Sequence, residues 1–133
     1  MKQRIAHISL LVKDYDEAIA FYRDKMGFTV LEDSRLSPSK RWVLIGPTST
    51  NGVSLLLAKA DGTVQEKIIG NQTAGRVFLF LETDNFYRDY TTMKNQGVHF
   101  KENPREESYG TVAVFEDLYG NLWDLIERKE DTL

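Results

Sequence analysis

The residues able to do chemistry in this chain are few. There are two histidines, His7 and His99, and no cysteine, which excludes disulfides, thiolate metal sites and cysteine nucleophiles. His7 heads the apolar stretch HISLLV. An imidazole carried on a strand can ligate a metal or move a proton, and equally it can be a half-buried group hydrogen-bonded to a carboxylate. Neither Ser9 nor Ser54 stands at a spacing from a histidine that suggests a nucleophilic triad, an arrangement that geometry decides in any case. GNQTAG is no phosphate loop, because it lacks the closing Lys-Ser/Thr and precedes a strand.

The elements that must position His7 show themselves through an internal repeat. Asp14 and Asp84 lie seventy positions apart, and so do Gly27 and Gly97. In the first copy IAHISLLV predicts a strand, and Asp14 with Glu17 three positions on forms a capping box that starts a helix. Ala18, Ile19, Phe21, Tyr22 and Met26 supply its apolar stripe, and Gly27 suits the left-handed position past its end. The second copy runs RVFLFLE, Asp84 as cap, Phe86, Tyr90 and Met93 as the stripe, and Gly97 as the stop; Tyr87 stands where Glu17 stood, so its box is incomplete. RWVLIG (41–46) then maps onto TVAVFE (111–116), and NGVSLLLA corresponds to NLWDLIER. Each half therefore reads strand, helix, strand, strand, strand. The expectation is one domain, 1–133, of two βαβββ modules (about 1–60 and 74–129) joined by a polar connector (59–75) in which VQEKII forms at most a short helical turn.

Composition narrows the partner. A chain of 133 residues buries a sizeable core without staples. Its net charge of -3, with Lys and Arg dispersed, gives no footprint for nucleic acid, and no apolar run is long enough for a bilayer. The absence of cysteine and of a signal peptide in MKQRIAHISL predicts a cytoplasmic setting. A small molecule or a second copy of the chain is the expected partner.

The βαβββ duplication, the opening HISLLVKDYDEAIAFYRDKMGF and the closing YGTVAVFEDLYGNLWDLIE together resemble the vicinal oxygen chelate superfamily: glyoxalase I, the extradiol dioxygenases, and the bleomycin- and fosfomycin-resistance proteins. The likeness covers nearly the whole chain. Its specific parts are the opening His-x-x-x-x-V-x-D-x-x-x-A-x-x-F-Y and the closing F-x-D-x-x-G-N-x-W-x-L-x-E. It implies an α+β fold, tandem βαβββ modules forming a curved mixed sheet around a cavity, and a homodimer. In metal-using members, four ligands come from the first and last strands of the two halves. Carried over at the seventy-residue offset without a gap, those positions are His7, Val77, Leu57 (Leu56 or Ala58 if the register slips by one) and Glu127, of which only His7 and Glu127 can bind metal. Two ligands fall short of the three or four side chains of an ordinary divalent site.

The resemblance implies a divalent ion (Zn, Ni, Fe or Mn) for a catalytic member, with His7 and Glu127 as ligands and Glu127 as base. Without metal, the pair would serve as an acid-base couple or grip a polar ligand; Glu127 simply solvated near the end of the chain is the plain alternative. Taking alternate residues from these positions, the cavity lining would be Ser9 and Leu11, Leu55 and Leu57, Val77 and Leu79, and Trp123 and Leu125, with Trp42 and Tyr109 at the mouth. Ile8, Leu10, Val12, Phe78 and Phe80 would pack under the helices. Arg41 is expected at the surface rather than on an anionic ligand, and His99 at the surface or in the core. Two functions stay open: a small-molecule-binding protein with a degenerate metal site and glyoxalase-like lyase or dioxygenase-like activity, and a metal-free dimer that sequesters an antibiotic or metabolite.

Overall fold

The computed structural model describes residues 2–47 and 52–130. The chain divides into two compact units, Met1–Ile69 and Gly70–Leu133. Among the described residues, no helix is long and apolar enough to cross a membrane.

Unit 1 carries β1 (His7–Val12), α1 (Tyr15–Asp24), β2 (Thr29–Arg35), β3 (Arg41–Gly46), β4 (Ser54–Lys59) and α2 (Gly62–Ile68). Its sheet order is β1-β4-β3-β2, with β1 parallel to β4 and the remaining pairs antiparallel. The opening motif accounts for the local geometry. Asp14 is the N-cap, its Oδ2 accepting the Glu17 N–H at 3.0 Å, and Gly27 adopts φ +74 as the chain leaves the helix. Val12, Ala18 and Tyr22 are fully buried. Leu10, Val43, Ile45 and Leu57 complete the core under α1, each contributing about 1.5–3 kcal/mol by its removal from water.

One guanidinium ties this core's edge together. Arg41 bridges Asp33 through two contacts, 3.2 and 2.7 Å, and Asp16 at 2.8 Å, so β2, β3 and α1 share one ion cluster. Its guanidinium lies 5.2 Å from the centre of the Tyr15 ring, and its backbone N–H donates to the Tyr15 hydroxyl. The expected surface arginine is thus 16% exposed and fully partnered.

Unit 2 carries β5 (Val77–Glu82), α3 (Phe86–Asn95), β6 (His99–Phe100), β7 (Arg105–Glu107), β8 (Gly110–Glu116) and β9 (Leu122–Arg128). The order is β5-β9-β8-β6, with β7 also pairing β8 and β5 parallel to β9. This mixed sheet repeats the first, with the short β7 added, and the whole is an α+β fold. The α3 cap differs by one residue from the expected Asp84: Asn85 is the N-cap, its Oδ1 accepting the Arg88 N–H, while Asp84 pairs with the Arg88 guanidinium. A row of rings then runs from helix to sheet, Phe86 on Tyr90, Tyr90 on Phe100, Phe100 on Phe115 and Phe115 on Trp123, at centroid separations of 4.6–5.7 Å.

The row ends at Asp117, which is 5% exposed. Its Oδ1 accepts the backbone N–H groups of Tyr119, Gly120 and Asn121, and its Oδ2 accepts Asn121 Nδ2 and, at 3.4 Å, Trp123 Nε1. Gly120 takes φ +99 to close this turn. The closing motif F-x-D-x-x-G-N-x-W is therefore structural, since each of its fixed residues builds the β8–β9 turn. Gly70 packs against the same turn so closely that a Cβ would lie 1.9 Å from the Tyr119 carbonyl oxygen. In the connector, α2 is a full seven-residue helix rather than a single turn, and none of its residues is buried.

Asp117→Ala strands several buried N–H donors at once. Its expected cost is about 3 kcal/mol in urea unfolding; a loss below about 1 kcal/mol would show that the turn does not depend on the carboxylate.

Candidate functional site

Strand pairing decides which side chains face away from the helices. In unit 1, His7 lies beside Ser54, Ser9 beside Leu56 and Leu11 beside Ala58. Neighbours across a ladder point the same way, so these six share the face turned from α1. Leu55 and Leu57, expected on that face, instead lie beside Ile8 and Leu10 and are buried on the α1 side. The correction is one of parity by a single residue: SLLLA is apolar on both faces, so alternation does not mark its sides.

On the exposed face the His7 ring meets Trp42 edge-on, centroids 5.9 Å apart and planes at 81°. Trp42 has the parity of Leu44, which pairs with Leu56. Beside this aromatic pair opens a cavity of about 640 Å³, lined by Tyr15, Trp42, Leu56, Leu57 and Ala58, and also by Lys40, Lys59, Asp61 and Gln65. Leu57 reaches it from the core. Ser9 and Leu11 lie on the same sheet face but do not line it.

Unit 2 departs further from expectation. A bulge between Val77 and Leu79 reverses the parity of β5. Val77 remains beside Leu122 on the face turned from α3, whereas Leu79 and Leu81 swing over to join Trp123 and Leu125 on the α3 side. Trp123 is 3% exposed and Leu125 fully buried, so both are core and not lining. Phe80, expected under α3, stands beside Asp124 on the opposite face and is 65% exposed.

Glu127 shares the parity of Leu125 and so lies on the α3 side. There its Oε1 accepts the Phe86 N–H at 2.7 Å. The carboxylate is engaged at the N-terminus of α3, where it meets both an unpaired backbone donor and the positive end of the helix dipole. The carboxylate expected as ligand and base thus makes a capping contact to α3. Tyr109 stands half-exposed in the β7–β8 turn, its carbonyl accepting the Lys129 N–H, and forms no part of the unit 1 cavity. His99 is a surface residue with its Nδ1 2.7 Å from Glu116 Oε1.

The residue that sequence reasoning passed over is Asp124. It lies beside Val114 and Phe80 on the face turned from α3, and its Oδ1 is buried with no hydrogen-bond partner. Burial raises its pKa above the ordinary carboxyl value, Arg105 pulls it down and Glu102 pushes it up. The signal was present in LWDLIE, where one acid interrupts two apolar neighbours of the other parity. The repeat explains the miss. Residues 47–53 join β3 to β4 and 117–121 join β8 to β9, two fewer, so the offset falls from seventy to sixty-eight and Leu56, not Leu57, corresponds to Asp124.

Among the described residues no three of His, Cys, Asp and Glu come together around one point. His7 has serine, apolar and indole neighbours on its own sheet face.

The sequence profile of the Glyoxalase/Bleomycin resistance protein/Dioxygenase superfamily matches residues 4–125. An uncharacterized protein of Shewanella frigidimarina is 58% identical, with 96% of this chain and 95% of that one covered. Among solved structures, UcmS2 superimposes with a TM-score of 0.82 at 30% identity, covering 95% of this chain and 98% of the other. TnmS3, an antibiotic binding protein from Streptomyces sp. CB03234, does so at 0.78 and 26%, covering 96% and 98%.

Two substitutions test the placement of these carboxylates. Glu127→Ala should cost about 1 kcal/mol of stability by uncapping α3, and should leave divalent metal content unchanged; a loss of bound metal would return Glu127 to a ligand role. For Asp124, the folded protein holds the proton more tightly than the unfolded chain. Its burial therefore costs stability above the raised pKa, and the cost disappears as pH falls through the window down to the ordinary value of 3.8. Asp124→Asn should stabilise the protein at pH 7, with the gain shrinking toward pH 3.8; a gain that does not vary with pH would contradict this.

Proposed function

The chain belongs to the Glyoxalase/Bleomycin resistance protein/Dioxygenase superfamily, and within it we propose that this member binds and sequesters a small molecule with an aromatic face rather than turning one over. The observation that carries this reading is the unit 1 cavity of about 640 Å³, whose lining includes Trp42, Tyr15, Leu56 and Ala58. Its volume and mostly apolar lining suit a drug-sized ligand. The likeness to TnmS3, named as an antibiotic binding protein, supports the same class of function.

The metal-dependent lyase or dioxygenase reading has less support. Polarising two substrate oxygens needs a cation held in place by several protein donors, and His7 stands on its sheet face among serines, leucines and an indole. A metal-free binder needs none of these donors. Its requirements are a rigid aromatic wall and an apolar floor, and β3 and β4 provide both. A homodimer in the cytoplasm is part of the proposed functional form, with sedimentation equilibrium as the check on the dimer.

Binding is tested by thermal shift and tryptophan fluorescence over a panel of polycyclic aromatic antibiotics, catechols and bleomycin. A true ligand at a hundredfold its Kd should add about 2.7 kcal/mol of stability. It should also quench Trp42 while leaving the emission of buried Trp123 in place. Trp42→Ala should weaken binding at least tenfold, about 1.4 kcal/mol. A panel without a single shift, or an affinity indifferent to Trp42→Ala, would contradict the proposal.

A further inference from the structure

Three cationic side chains, Lys40, Arg41 and Lys59, line the unit 1 cavity, against one acid, Asp61. This is the reverse of the chain as a whole, whose net charge is -3. The three cations are not equivalent. Arg41 is held by Asp33 and Asp16, two carboxylates for one guanidinium, which leaves it no charge to offer a ligand. Lys40 and Lys59 form no ion pair among the described residues. Lys40 immediately precedes β3 and Lys59 closes β4, so both residues stand at the end of the sheet that bears Trp42, and both line the cavity. Asp61 offsets one of these charges at most.

Resting on the cavity reading above, we propose that the ligand class is an aromatic molecule carrying an acidic group, a carboxylate, phenolate, sulfate or phosphate, with its rings on Trp42 and its acid on Lys40 and Lys59. An aromatic body seated in the cavity strips water from the lysine stems and leaves their ammonium groups facing the ligand's edge. A neutral ligand gives those groups nothing in return. An acidic one replaces their water with charge-assisted hydrogen bonds. The arrangement therefore separates ligands by charge at the rim and by shape in the interior, a division usual in small-molecule sites. Arg41 contributes by rigidity: pinned between β2 and α1, it fixes the strand on which its neighbours Lys40 and Trp42 sit.

Two dyes with one skeleton test this directly. 1-Anilinonaphthalene-8-sulfonate and N-phenyl-1-naphthylamine differ only by the sulfonate, and both fluoresce when bound in apolar sites. Titrations would use the intact protein, Trp42→Ala, and the double variant Lys40→Met/Lys59→Met, at low and high salt. The expected result is a preference for the sulfonate of about fivefold or more at low salt. That preference should be lost in the double variant and narrowed by salt, with the neutral dye binding the double variant no more weakly than the intact protein. If both dyes bind the intact protein equally, and both are weakened by Trp42→Ala, the cavity reading stands and the acidic-ligand inference falls. A sulfonate preference that persists in the double variant also overturns it. If neither dye binds, or neither responds to Trp42→Ala, the cavity reading itself fails.

Discussion

The carboxylate of Asp117 governs the geometry of unit 2. By gathering three successive backbone N–H groups on one oxygen and two side-chain N–H groups on the other, it closes the β8–β9 connection in five residues. A turn that short leaves β9 one choice of register, with Ala113 opposite Leu125 and Phe115 opposite Trp123. From that register follow the stacking of Phe115 on Trp123 and the delivery of Glu127 to the first turn of α3, while alternation along β9 sets Asp124 on the other face. The energy of the turn comes from charge-assisted hydrogen bonds in a buried setting, where leaving the donors unmade is costly.

The β3–β4 connection of unit 1 is two residues longer than its counterpart in unit 2. Among the described residues the strands of unit 1 are organised by apolar burial beneath α1 and by the Arg41 ion cluster at the sheet end. The consequence is a face that carries few obligations of its own. Leu56, Ala58, Trp42 and His7 are not needed by the helix, and Trp42, edge-on to His7, lines a cavity rather than a core. Two modules of common design have thus come to differ in what their outer faces hold: an indole and lysines in one, a half-buried acid and an exposed phenylalanine in the other.

Much of the architecture was legible in the sequence because caps and stops are local. Asp14 with Glu17, Gly27 and Gly97 mark helix ends through contacts within a few residues, and the seventy-residue offset joins them into two modules. The faces were less legible, because a strand's side is set by its partners. In SLLLAK three consecutive leucines satisfy either parity, and only the pairing of His7 with Ser54 resolves it. In VFLFLE the bulge after Val77 has no signature in a run of uniformly apolar residues. Glu127 lay in a well-marked motif, yet its role depended on Phe86, forty-one positions away, whose backbone N–H it meets. For the candidate site, then, Trp42 and His7 could be singled out by type and Leu56 only as one of two slipped registers, while Asp124, Lys40 and Lys59 became visible through strand pairing and the cavity.

The central claim is that the β8–β9 register, held by Asp117, sets which side chains of β9 stand beside which of β8, and so brings Trp123 onto Phe115. Cross-strand nuclear Overhauser effects measured on the isotopically labelled protein test it most directly. Backbone contacts linking Ala113 with Leu125 and Phe115 with Trp123 are the predicted result. Contacts linking Ala113 with Glu127 and Phe115 with Leu125, as a constant seventy-residue offset would require, would contradict it.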